Sequence, residues 1–321
     1  MCAGVFLKSF INAKTREILI GGLLLAIAGG GGISLFAQTR PTVASVESLQ
    51  IDRGNISLTV DAGLPVSEGA VRDWVMRAGT AITEFYGSYP VESVAIYVRR
   101  GRRGGVQNGV EHGGRRIDIA LGVDTTASWL NSDWMMTHEM FHLSQPSLDD
   151  RYRWMSEGMA DYLEPVARVR IGQITPERFW KDMVEGMPFG LPKAGDEGLD
   201  NTHTWGRTYW GGMMYWLLAD MRIREETHNK KSVRDAAMAV LNAGGDGSQD
   251  WTIEQLLSAY DAATGTKVFT ALHDEMGDKA VTTDLKALWE SLGVVYSNER
   301  RTVSFDDGAK LAEIRRGITA R

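Results

Sequence analysis

The sequence predicts an α+β protein, with a strand-rich N-terminal part followed by a helical part. Two patterns carry this expectation. Before residue 124, the runs "ISLTVDA" (56–62), "SVAIYV" (93–98) and "IDIALGV" (117–123) are short, rich in β-branched residues and bounded by turn formers. From about residue 131 onward, apolar residues recur at the spacing of a helix face.

In chain order, a polar stretch at about 38–48 reads as a linker leading to strand 56–62. The segment 67–87 carries apolar positions at helical spacing, with Ser67 as its N-cap. Strand 93–98 runs into a Gly/Arg-rich excursion (99–116), which leads to strand 117–123. Helices are expected at 132–145, capped by Ser132 or Asp133 and ended by Pro146, and at 151–164, ended by Pro165. A helix at 176–185 precedes a loop of about 20 residues (186–206), and loops of that length inside a compact domain are often functional. Further helices are expected at 207–226, 231–242, 252–263, 266–276 and 282–291, and the tail reads as a strand followed by a short helix. The chain thus divides into an N-terminal segment 1–38, a β-rich part 39–130, a helical part 131–295 and a tail 296–321.

At 321 residues the chain can bury a substantial core, and its net charge of -6 argues against nucleic acid as a partner. The only cysteine is Cys2, so a metal would have to be held by histidines and carboxylates. Lys8, Lys14 and Arg16 precede an uncharged run of 20 residues (18–37). This pattern is that of a signal peptide or a retained N-terminal membrane anchor, with residues 39–321 exported to the periplasm or cell exterior.

The stretch "SDWMMTHEMFHLSQP" (132–146) holds the main chemical signal. His138 and His142 are four residues apart, so on a helix both imidazoles lie on one face and can bind one ion. Glu139 projects about 100° away from His138, where a carboxylate can serve as general base. Those five residues alone leave open an amphipathic helix that merely carries two histidines. A catalytic zinc site needs a third protein ligand, and Glu157 in "RYRWMSEGMADYLEP" (151–165) follows His142 after 14 intervening residues. It sits among Trp154, Met155, Met159 and Tyr162, where an unpaired carboxylate would be costly.

H-E-x-x-H followed by "RWMSEGMADYLE" resembles the gluzincin zinc metallopeptidases, whose second helix commonly reads W-x-x-E-G-x-x-x-Y. The resemblance implies a thermolysin-like zincin domain holding one zinc ion through His138, His142 and Glu157, with Glu139 as general base. It further implies that Asp161, one turn after Glu157, orients a ligand histidine. The segment "NGVEHGG" (108–114) is similar to the G-L-E-H segment of the glycyl aminopeptidase family, and "RTYWGGMMYW" to that family's Y-x-K-G stretch. By resemblance to the wider aminopeptidase group, Tyr209, three residues before Gly212, donates to the oxyanion. Gly211 stands where the glycyl aminopeptidases have Lys, and the family's large N-terminal β-domain and PDZ domain are expected to be missing.

Glu111, expected on a strand edge beside the metal, can pair with a substrate's α-amine; its alternative partners are Arg102, Arg103, Arg115 and Arg116. His112 and His203 are further cleft candidates. The function expected is zinc-dependent hydrolysis of peptide or protein substrates by an exported aminopeptidase, with membrane association through 18–37. The alternatives are a zinc endopeptidase of the same fold and a non-catalytic peptide-binding envelope module.

Overall fold

The computed structural model describes residues 43–102 and 104–320. The N-terminal apolar run 18–37 lies outside the described residues. Among those described, no helix is long and apolar enough to cross a membrane.

Five strands form one sheet: β1 (Val43–Ile51), β2 (Gly54–Asp61), β3 (Ser93–Arg100), β4 (Val106–His112) and β5 (Arg116–Leu121), in the order β1-β2-β3-β5-β4. β2, β3 and β5 run parallel, while β1 and β4 are antiparallel edges. Alternation places Ile56, Leu58, Val60, Val94, Ile96, Val98, Ile117, Ile119 and Leu121 on the buried face. Helix α1 (Glu68–Tyr86) crosses that face with Val71, Trp74, Val75, Ile82 and Phe85; Ser67 caps its start and Gly87, at φ 80°, ends it. The expected linker at 38–48 is corrected, because from Val43 the chain forms β1. Its apolar Val43 and Val46 face solvent and only Leu49 and Ile51 are buried, the pattern of an edge strand with one wet face. The excursion 99–116 likewise contains β4.

The helical part begins with α2 (Ala127–Ser132) and α3 (Met135–His142), where a single helix 132–145 was expected. The chain breaks at Asp133, whose carboxylate accepts from Trp74 Nε1 (2.9 Å) and from the Met136 amide (3.2 Å). Helix α4 (Arg153–Arg170) runs through Pro165 instead of stopping before it. Proline removes one helical hydrogen bond, but Leu163 before it and Val166, Ala167 and Val169 after it are all buried, and that packing outweighs the loss. Helices α5 (Pro176–Gly186), α6 (Gly212–Thr227), α7 (Val233–Asn242), α8 (Ile253–Thr264), α9 (Val268–Met276) and α10 (Leu285–Leu292) follow. A hairpin of β6 (Val294–Ser297) and β7 (Thr302–Phe305), with α11 (Ala312–Ile318), forms the tail.

Two packing details set the site. Helix α6 is preceded by a π-turn, Gly206–Gly211, and α4 crosses this segment where Gly158 meets Gly212. A Cβ on Gly158 would collide with the Gly212 backbone, so only two glycines allow this approach. The long loop 186–206 is pinned to the same turn. Arg207, itself buried, donates through Nη1 to the Gly190 carbonyl (2.7 Å) and pairs with buried Asp196 (2.8 Å).

Candidate metal centre

Helix α3 presents His138 and His142 one turn apart, and α4 brings Glu157 against them. His138 Nε2 lies 3.2 Å from His142 Nε2 and 3.3 Å from Glu157 Oε2; His142 Nε2 lies 3.7 Å from that oxygen. Ligands about 2.0–2.1 Å from a tetrahedral zinc ion stand about 3.3–3.4 Å apart, so this triangle is close to the size such an ion needs. Nitrogen and carboxylate oxygen are also the donors zinc accepts when no thiolate is available. Among the described residues these three form a metal-ligating group with one donor atom each within 4.8 Å of the others.

Asp161 Oδ1 sits 3.0 Å from His138 Nδ1, on the side of the ring away from the triangle. A carboxylate at that distance favours the proton on Nδ1 and leaves Nε2 for a metal, although the angle in this structure falls outside hydrogen-bond geometry. Burial works against charge on His138, yet Asp161 and Glu157 raise its pKa well above the ordinary histidine value. Burial also opposes ionisation of Glu157, but its contacts with His138 and His142 hold it well below the usual carboxylate range. Glu157 therefore stays an anion, as a ligand must.

The second oxygen of Glu157 is occupied separately. Oε1 accepts from Tyr209 Oη (3.2 Å) and from Arg153 Nε (3.1 Å). Tyr209 belongs to the π-turn, a distortion that is frequent at functional sites. Burial and the Glu157 charge push its pKa up, so it remains a hydroxyl donor.

Glu139 points from α3 toward the edge strand. A Cβ on Gly109 would lie 2.5 Å from Glu139 Oε1, so β4 approaches this carboxylate closely only because residue 109 is glycine. Burial raises the Glu139 pKa, partly offset by His138 and His142, which moves it toward the range of a general base. Glu111 lies two residues further along β4, and its Oε1 accepts from the Gly114 amide (2.5 Å). Its pKa is raised by burial, opposed by that amide and by His142.

These groups line one cleft of about 560 Å³, between β4 on one side and α3, α4 and the π-turn on the other. Trp134, Met135, Leu148 and Trp205 supply its apolar surface. The structure thus brings His138, Glu139, His142, Glu157, Tyr209 and Glu111 together, with Asp161 behind His138. His112 does not join them: strand alternation turns it to the outer face, where it pairs with Asp118 (3.1 Å). His203 is exposed and does not line the cleft. Sequence reasoning missed Arg153 and the role of Gly109. The i,i+4 spacing of Arg153 and Glu157 was a usable signal for the first.

No family model matches the chain, and no curated protein matches it. Solved structures do. The fold is similar to that of an aminopeptidase N family protein from Idiomarina loihiensis, with TM-score 0.58 and 15% identity over 78% of this chain and 49% of that one. It is also similar to an M1 zinc metallopeptidase from Deinococcus radiodurans, with TM-score 0.50 and 16% identity over 77% and 53%. A two-domain M1 zinc metallopeptidase mutant bound to L-tryptophan gives TM-score 0.50 and 14% identity over 77% and 53%. The chain spans about half the length of these structures. The likeness establishes the fold, an α+β architecture of the M1 zinc-peptidase type, in agreement with the zincin domain that the gluzincin resemblance implied.

Proposed function

We propose that the chain is a zinc-dependent peptidase, an exported aminopeptidase that removes N-terminal residues from peptide or protein substrates. The observation that carries this reading is a three-ligand triangle of zinc-binding size with a free, buried carboxylate, Glu139, beside it. A binding module has no need of that carboxylate.

Zinc held by His138, His142 and Glu157 would supply Lewis-acid polarisation of the scissile carbonyl and activation of water. The rest is done by the chain itself. Glu139 takes the proton of the attacking water and passes it to the leaving amine. Tyr209 donates its hydroxyl to the oxyanion that develops on the carbonyl. The free edge of β4 offers backbone groups to an extended peptide. Glu111, at the end of that edge, pairs with the substrate's α-amine and limits cleavage to the first bond. Export and membrane association rest on the basic flank and apolar run at 18–37.

Metal analysis combined with a Glu139→Gln variant tests the proposal. The wild type, loaded with zinc, is expected to cleave a peptide library, and the variant to retain zinc but lose about 10²–10⁴-fold in rate. Equal, negligible cleavage by both would overturn the enzyme reading. N-acetylated peptides are expected to resist hydrolysis; their efficient cleavage would make the chain an endopeptidase.

A further inference from the structure

The chemistry above leaves two charged groups of the cleft, Asp150 and Arg153, without a task, and Arg153 is the cation. Arg153 is the first residue of α4, where the helix dipole disfavours a cation, and a bound zinc ion would repel it further. Glu157 compensates this position in part. Arg153 Nε and Nη2 each lie 3.1 Å from Glu157 Oε1, the oxygen that also accepts from Tyr209. Oε2, turned toward His138 and His142, is left for the metal. Even so, the Arg153 side chain stays 50% exposed and lines the cleft beside Ser156, Trp205 and Tyr209. Its Nη1 has no partner among the described residues.

Glu111 lines the cleft from β4, and Arg153 lines it from the start of α4. Glu111 lies in the field of His142, whereas Arg153 lies in that of Glu157 and Asp150. A peptide whose amine is held at Glu111, with its scissile carbonyl at the triangle, would bring its next residue to the guanidinium, which adjoins Glu157 and Tyr209 in the same cleft. A guanidinium with a free edge matches a carboxylate, which accepts two hydrogen bonds from its fork.

We propose that Arg153 is a specificity-determining residue that receives a substrate carboxylate one residue beyond the scissile bond. This deepens, and rests on, the aminopeptidase reading. The carboxylate has two sources: the free C-terminus of a dipeptide, or the side chain of an acidic second residue. An Arg153 that served only as a helix ion pair with Glu157 would make no distinction among peptides.

The test uses the zinc-loaded full chain carrying Glu139→Gln, so that peptides bind without being consumed. Three probes are titrated calorimetrically: alanyl-alanine, alanyl-alanine amide, and alanyl-glutamate with an amidated C-terminus. At least one carboxylate-bearing probe is expected to bind about tenfold or more tighter than alanyl-alanine amide. Preference for alanyl-alanine identifies the C-terminus as the source; preference for the glutamyl probe identifies the side chain. Adding Arg153→Leu is expected to erase the preference, with zinc content measured alongside. Should that variant lose zinc, Arg153→Gln, which keeps a donor for Glu157 but removes the charge, is expected to erase it equally. Equal binding of all three probes, or a preference that survives in the Gln variant, overturns the proposal. Hydrolysis by the wild type is scored separately. Absence of cleavage with an intact carboxylate preference overturns the peptidase reading while supporting the role of Arg153.

Discussion

Two histidine–aspartate pairs of nearly equal length show how position changes what the same residues can do. His138 and Asp161 lie 3.0 Å apart with side chains 4% and 10% exposed. His112 and Asp118 lie 3.1 Å apart with side chains 50% and 19% exposed, and Asp118 is shared with Arg99 and Arg116. In the first pair, each group is held by packing between α3 and α4, and the far nitrogen of the ring is aimed at two other ligands. In the second, the outer face of the sheet supplies water and competing cations, which screen each interaction. Distance alone does not separate a metal-orienting pair from a surface pair; burial and the direction of the opposite ring nitrogen do.

The comparison can be pressed from the metal centre outward. Tyr209→Phe removes a hydroxyl donor from the centre and is expected to lower kcat by about 10²–10³-fold, roughly 2.7–4 kcal/mol, with KM little changed. Steady-state kinetics on the zinc-loaded variant read this, and an unchanged kcat would remove Tyr209 from the chemistry. Asp133 tests burial without metal. Burial raises its pKa from 3.8 to about 6, against the hydrogen bonds from Met136 and Trp74. The unfolded chain therefore loses this proton at lower pH than the folded one, so the group's contribution is full below about pH 4 and is lost as pH rises through about 6. Wild-type stability relative to Asp133→Asn is expected to fall by about 2–3 kcal/mol across that window in denaturant titrations. A flat difference would contradict the assignment.

The two pairs themselves come next. Asp161→Asn is expected to weaken zinc binding by about 10–100-fold, measured by competition with a chelator. Asp118→Asn is expected to leave zinc affinity unchanged and to alter stability by less than about 1 kcal/mol, as exposed pairs do. If the two substitutions affected zinc equally, burial would not be the deciding variable.

The helical signals near the centre were legible because they are local. His138, Glu139 and His142 lie within one turn and a half, and Glu157 stood out as a carboxylate among Trp154, Met155 and Met159. Strands 56–62, 93–98 and 117–123 were legible for the same reason, each being a short apolar run facing a core. The misread elements are those whose fate depends on distant partners. The first strand has exposed valines and exists because β2 supplies its hydrogen bonds. The break at Asp133 depends on Trp74, 59 positions earlier in the chain. Pro165 stays inside α4 because the residues after it are buried by other elements. His112 and Glu111 are adjacent in sequence, yet the register of β4 against β5 sends one out to Asp118 and the other into the cleft.

By itself, the sequence determined which atoms could ligate an ion, since residue type fixes donor chemistry and i,i+4 spacing fixes a shared helix face. It also determined the α+β order, through periodicities of two and 3.6 residues. Only the tertiary structure decided which of those atoms meet. The crossing of Gly158 on Gly212 brings Tyr209 to the oxygen of Glu157 that Arg153 already holds from one turn earlier on the same helix, and the glycine at 109 lets β4 close over Glu139. Such approaches are set by close packing between segments far apart in the chain, where one added methyl group would hold the elements apart.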